Sequence, residues 1–238
     1  MDQLLVALDV ESADRAMRLV TALRGVAGGF KVGNRLFTSE GPALVRRIAD
    51  AGSRVFLDLK YHDIPNTVEQ AVEAAVGTGA WMINVHASGG LAMMQAAARA
   101  ARDTSAKLNR PVPLMIGVTV LTSMDQDALR GVGVERPVLD QVIALAKLTQ
   151  QAGLQGVVAS ARETPEIRKA CGPEFQIVTP GIRGASANVS GKDDQSRTMG
   201  PAEAVRAGAS YIVVGRPIIA AQDPRAAAEA IVEELRAG

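Results

Sequence analysis

Aromatic side chains are scarce in this sequence: they make up 3% of 238 residues, while hydrophobic residues as a whole reach 47%. Aliphatic side chains and alanine must therefore fill the core. The one cysteine, Cys171, excludes an internal disulfide and suits a reducing cytosol. Charge of one sign is lacking too. With 26 basic and 25 acidic residues the net charge is +1, so there is no long-range pull toward nucleic acid or membrane, and any anion site must be local. The apolar run Leu4 to Leu8 is broken by Asp9, too short for a signal peptide, and no run approaches the length of a membrane span. A soluble cytoplasmic protein with neither a nucleic-acid nor a membrane partner is the expectation.

A chain of this length forms one large domain or two small ones. No low-complexity tract or linker divides it. Short apolar runs alternate with helical stretches throughout. Strands are predicted at Leu4–Leu8, Phe30–Val32, Arg54–Leu59, Met82–His86, Pro113–Val118, Gly156–Ala159, Gln176–Val178 and Tyr211–Val214. Helices are predicted at Ala13–Leu23, Pro42–Ala51, Val68–Thr78, Leu91–Ala106, Leu139–Gln151, Pro165–Cys171, Pro201–Ala207 and Pro224–Arg236. Eight such beats fit an α/β fold of the (β/α)8 TIM-barrel type, with residues 1–238 as a single barrel domain. An open doubly wound sheet is the alternative.

Barrels carry their active sites at the C-terminal strand ends. Asp9 ends the first strand, Lys31 lies in the second, Asp58 and Lys60 end the third, and His86 ends the fourth. Thr122 and Ser123 follow the fifth, and Gly215 and Arg216 the eighth. Unpaired charges are rarely buried, so this grouping on one rim points to function, against the plainer reading of ion pairs plugging the barrel mouth. The densest part is Asp58-Leu59-Lys60-Tyr61-His62-Asp63-Ile64-Pro65-Asn66-Thr67. Asp58 and Lys60, two apart on a strand, leave the same face, and Pro65 rigidifies the turn into the next helix.

Two segments look suited to phosphate. Val213-Val214-Gly215-Arg216-Pro217 reads as a strand ending in glycine at a helix start, with free N–H groups and a planar guanidinium fork. A helix N-terminus with a solvated arginine is the plainer alternative. The stretch from Gly181 to Gly200 lacks apolar periodicity and is rich in glycine, serine and basic or amide residues, among them Arg183, Lys192, Gln195 and Arg197. It reads as a lid over phosphate, or as disorder.

With these residues in place the chain resembles the orotidine 5′-monophosphate decarboxylase family over its whole length. The likeness rests on Leu8-Asp9, Phe30-Lys31-Val32-Gly33, the Asp-x-Lys-x-x-Asp-Ile-Pro-x-Thr block at 58–67, and Leu121-Thr122-Ser123. It continues through Thr179-Pro180-Gly181-Ile182-Arg183, Asp194-Gln195 and Val214-Gly215-Arg216. The resemblance implies a homodimer, with Asp63 and Thr67 reaching into the neighbour's site. It implies that Asp9 holds the ribose hydroxyls, and that Lys31, Asp58, Lys60 and the second copy's Asp63 form an alternating charge array. Thr122 and Ser123 would meet the pyrimidine. Arg183, Gln195, Arg216 and the Gly215 amide would take the phosphate, and Ile64 and Pro180 would join the substrate-lining set. Lys60 would donate the proton that replaces the carboxylate at C6, and Asp58 and Asp63 would favour the ionised lysines. No metal and no organic cofactor is expected, and His86 has no assigned step. A magnesium-dependent sugar-phosphate decarboxylase of the 3-keto-gulonate-6-phosphate type is the rival enzyme, but an ammonium at Lys31 would repel the metal. A catalytically idle phosphate-ligand sensor is the rival of another class.

Overall fold

The computed structural model describes residues 2–182 and 199–237. Eight strands run parallel and close on themselves in sequence order: β1 (Leu4–Ala7), β2 (Gly29–Gly33), β3 (Val55–Tyr61), β4 (Met82–His86), β5 (Leu114–Val118), β6 (Gly156–Val158), β7 (Gln176–Thr179) and β8 (Tyr211–Val214). β1 pairs with both β2 and β8, so no edge remains and the open doubly wound alternative is excluded. Between and after them lie α1 (Ala13–Ala22), α2 (Asn34–Asp50), α3 (Pro65–Val76), α4 (Gly90–Lys107), α5 (Gln126–Gly131), α6 (Val138–Gln151), α7 (Thr164–Cys171), α8 (Pro201–Arg206), α9 (Arg216–Ile219) and α10 (Pro224–Ala237).

Strand alternation divides the core into two layers. Leu4, Val6 and Leu8 face outward and pack with Val55, Leu57, Ile83, Val85, Ile212 and Val214 against the helices. Leu5, Ala7, Phe56, Met82, Ile116, Val178 and Val213 form a second, smaller cluster that fills the barrel itself. The expectation of an aliphatic core holds: Phe30 and Phe56 are the only aromatics among the largest fully buried side chains. Each fully buried aliphatic contributes about 1.5–3 kcal/mol relative to exposure.

Most predicted boundaries shift by one or two residues. Two helical segments went unseen. α2 begins at Asn34, eight residues before the predicted Pro42, and Gly41 (φ 67°, ψ −170°) breaks it just before that proline. Its first part has only Leu36 and the adjacent Phe37 as large apolar residues, so no period shows. α5 is six residues long, capped by Asp125, whose side chain accepts the Ala128 N–H at 2.9 Å.

Candidate active site

The charged residues expected on one rim meet inside the mouth formed by the C-terminal ends of β1 to β4. Lys31 Nζ lies 3.3 Å from Asp9 Oδ1 and 3.4 Å from Asp58 Oδ2. Lys60 Nζ lies 2.6 Å from Asp58 Oδ1. The order is acid, base, acid, base across three neighbouring strands and the residues that end them. Burial grades along the array: the Asp9 side chain is 58% exposed, Lys60 29%, and Lys31 and Asp58 12% each. The buried middle is thus compensated on both sides, as burial of charge requires. Burial pushes the Asp58 carboxyl up, but the Lys31 and Lys60 ammonium groups, together with hydrogen bonds from Lys60 and Asn84, outweigh it and leave it below the ordinary carboxylate value.

Glycine makes room around this array. A Cβ on Gly33 would stand 3.0 Å from Lys31 Nζ, and one on Gly215 would stand 3.4 Å from both Asp9 Oδ2 and Ala7 Cβ. Gly215 therefore borders Asp9, which brings the start of α9 and Arg216 to the β1 side of the mouth.

Alternation alone does not bring Asp58 and Lys60 together. Lys60 has φ 55°, and the β3–β4 register jumps between Leu57 and Tyr61. The ammonium reaches the carboxylate through a left-handed kink at the strand end, a conformation that disfavours any residue with a Cβ. A residue the sequence reading missed explains how the kink is held. Asn84, fully buried in β4, accepts the Lys60 N–H on Oδ1 at 2.8 Å and donates from Nδ2 to Asp58 Oδ1 at 2.7 Å. The available signal was an amide between apolar neighbours in β4, on the inward alternation of Met82 and His86.

His86 is half-buried beside the array, its ring centroid 5.4 Å from that of His62. Burial, then His62 and Lys60, pull its imidazole below the usual value, with Asp58 opposing. Asp63 is not part of the array within its own chain. It is exposed, its carboxylate accepts the Ile64 N–H at 2.7 Å, and among the described residues it forms no ion pair. Residues 62–67 are exposed one after another, with Ile64 66% accessible, and Pro65 opens α3. Thr122 and Ser123 stand on a turn beyond β5, and Pro180 follows β7. Arg183 and Gln195 lie outside the described residues, as do Lys192, Arg197 and the serines of the stretch read as a lid. Among the described residues no group of three or more His, Cys, Asp or Glu side chains is placed to hold a metal ion. Among them, too, no helix is long and apolar enough to cross a membrane.

Residues 2–231 match the orotidine 5′-phosphate decarboxylase / HUMPS family. The chain belongs to this family. An orotidine 5′-phosphate decarboxylase of Moorella thermoacetica is 57% identical over 235 residues, spanning 98% of this chain and 92% of its own length. One from Syntrophotalea carbinolica is 54% identical, spanning 99% and 95%. Among solved structures, an orotidine 5′-phosphate decarboxylase from Lactobacillus acidophilus superposes with a TM-score of 0.86 at 35% identity, covering 98% of both chains.

Proposed function

We propose that the chain removes carbon dioxide from orotidine 5′-monophosphate to give uridine 5′-monophosphate, the closing step of pyrimidine nucleotide biosynthesis, with no metal or organic cofactor. The observation that carries this reading is the alternating array Asp9–Lys31–Asp58–Lys60 in the barrel mouth of a chain belonging to the orotidine 5′-phosphate decarboxylase / HUMPS family.

Breaking the bond between C6 and the carboxylate leaves the electron pair on C6, in an orbital the ring delocalises poorly. The Lys60 ammonium stabilises that charge as it develops and then passes a proton from Nζ to C6. Asp58, close to Lys60, holds the ammonium in place before substrate arrives, so little reorganisation is needed at the moment of reaction. Asp9, the most exposed member, is suited to the ribose hydroxyls. Lys31 ties Asp9 to Asp58. Thr122 and Ser123 meet the pyrimidine from beyond β5, with Pro180 and Ile64 lining it. Arg216 and the Gly215 amide take the phosphate, together with Arg183 and Gln195. Binding energy from that remote phosphate serves orientation of the reacting ring.

The protein acts as a two-fold homodimer. The exposed run at 62–67, with Asp63 in no ion pair among the described residues, favours contribution of Asp63 and Thr67 to the site of a second copy. Its place of work is the cytoplasm, in keeping with a single unpaired cysteine.

The test is the orotate absorbance band of orotidine 5′-monophosphate in the presence of purified protein, with and without a chelator. Equal rates of loss under both conditions are expected. No loss, or loss only with added metal, overturns the reading.

A further inference from the structure

We propose that Asn84 is a positioning residue for the Asp58–Lys60 pair, fixing where the Lys60 ammonium stands. The inference rests on the decarboxylase reading of this site and concerns a residue that reading does not use.

The register of β3 against β4 carries the argument. Leu57 pairs with Ile83 and Tyr61 with Val85, so Asp58, Leu59 and Lys60 together stand opposite Asn84 alone. Regular ladder bonding is lost where the chemistry is concentrated. Lys60 is one of only two non-glycine residues with positive φ among those described; the other, Asn109, lies in an exposed turn. A lysine in that conformation persists only where its surroundings over-determine it. The Asn84 side chain provides the partner that the ladder does not, accepting the Lys60 N–H at 2.8 Å. Its other end donates to Asp58 Oδ1 at 2.7 Å, the same oxygen that receives Lys60 Nζ at 2.6 Å. The orientation of the amide is forced: a backbone N–H only donates and an ionised carboxylate only accepts. One side chain thus locks the backbone of Lys60 and the carboxylate of Asp58 into one triangle. Asn84 has no exposure at all, so it touches no substrate and acts through Asp58 and Lys60.

The groups facing Asp58 are the Lys31 ammonium from β2, the Lys60 ammonium from its own strand and the Asn84 amide from β4. Asp9 stands behind Lys31, and His86 two residues past Asn84 with His62 against it. Deleting the amide removes a donor to the charged form of Asp58 and leaves the other groups in place. The Asp58 carboxyl then titrates higher, and the acid limb of the pH profile moves to higher pH.

Wild-type turnover of orotidine 5′-monophosphate is measured first; its absence rejects the decarboxylase reading itself. Given turnover, Asn84→Ala is expected to lower kcat on the order of 10²-fold while the Kd for uridine 5′-monophosphate changes by less than about threefold. The acid limb of kcat/KM moves upward in Asn84→Ala. It moves further in Asn84→Asp, which keeps an acceptor for the Lys60 N–H but sets a like charge against Asp58. If circular dichroism shows that Asn84→Ala does not fold, Asn84→Ser is read in its place. Near-normal kcat overturns the inference. So does a fall in kcat matched by an equal loss of nucleotide affinity with an unmoved acid limb, which marks a merely structural residue.

Discussion

At the C-terminal end of the strands the barrel interior carries Asp9, Lys31, Asp58, Lys60 and Asn84, joined by contacts of 2.6 to 3.4 Å. At the N-terminal end Trp81 and Tyr211 meet edge to face at 5.3 Å between ring centroids, packed on the small inner cluster with Leu114. Arg54 lies over the Trp81 ring at 5.2 Å, and Asp2 stands 3.8 Å from Arg54. In a chain so poor in aromatics, two of its three Trp and Tyr residues close the end opposite the charged array. The other end keeps four ionised groups where packing would prefer none. One interior thus has an end closed by packing and an end we propose to react, and in barrels the strand direction decides which is which.

The largest effect expected from breaking that division is at Lys60. Lys60→Ala should lower turnover by about 10³-fold or more, since in the proposed mechanism Lys60 both stabilises the developing charge and donates the proton. Nucleotide binding, read by titration with uridine 5′-monophosphate, should be largely retained.

Next comes the question of whether the reactive end is complete in one chain. Inactive Lys60→Ala protein is mixed with inactive Asp63→Ala protein and the subunits are allowed to exchange. If Asp63 acts across an interface, one site of each heterodimer carries both lesions and the other neither. Activity should then rise toward about a quarter of wild type per total subunit for random pairing in a two-fold dimer. Proven exchange without recovery places Asp63 in its own chain's site.

A smaller effect is expected at the edge of the reactive end. Arg216→Ala should weaken a nucleotide by about 1.5–3 kcal/mol while leaving the corresponding nucleoside almost unaffected. Equal losses for both ligands would show that Arg216 does not face phosphate. The smallest effect on turnover belongs to the opposite end. Trp81→Ala should cost about 3 kcal/mol of unfolding free energy, the low end for a large aromatic because the ring is half-buried, with kcat per folded molecule near wild type.

The contrast between the ends also explains what could be read from the sequence. Strand periodicity and the positions of Asp9, Lys31, Asp58, Lys60 and His86 at strand ends or inside them were legible, because burying a charge needs a reason and a repeating strand–helix rhythm supplies the place. The Asp58–Lys60 contact was anticipated for an incomplete reason, since two-residue alternation does not include the positive φ at Lys60. Asn84 was passed over because a single amide in a strand looks like tolerated polarity until its partners are known. The first part of α2 was hidden by adjacent rather than spaced apolar residues, and Gly41-Pro42 looked like the start of the helix rather than a break within it. The aromatic closure was illegible for a different reason: Trp81 and Tyr211 are far apart in sequence, and only barrel closure through β8 and β1 brings them together.

The most direct test of the division is turnover per folded molecule, measured side by side for Lys60→Ala and Trp81→Ala together with their unfolding midpoints. The account predicts that Lys60→Ala unfolds close to wild type and does not turn over, while Trp81→Ala unfolds early and turns over normally while folded. Equal loss of turnover per folded molecule in both variants would contradict it.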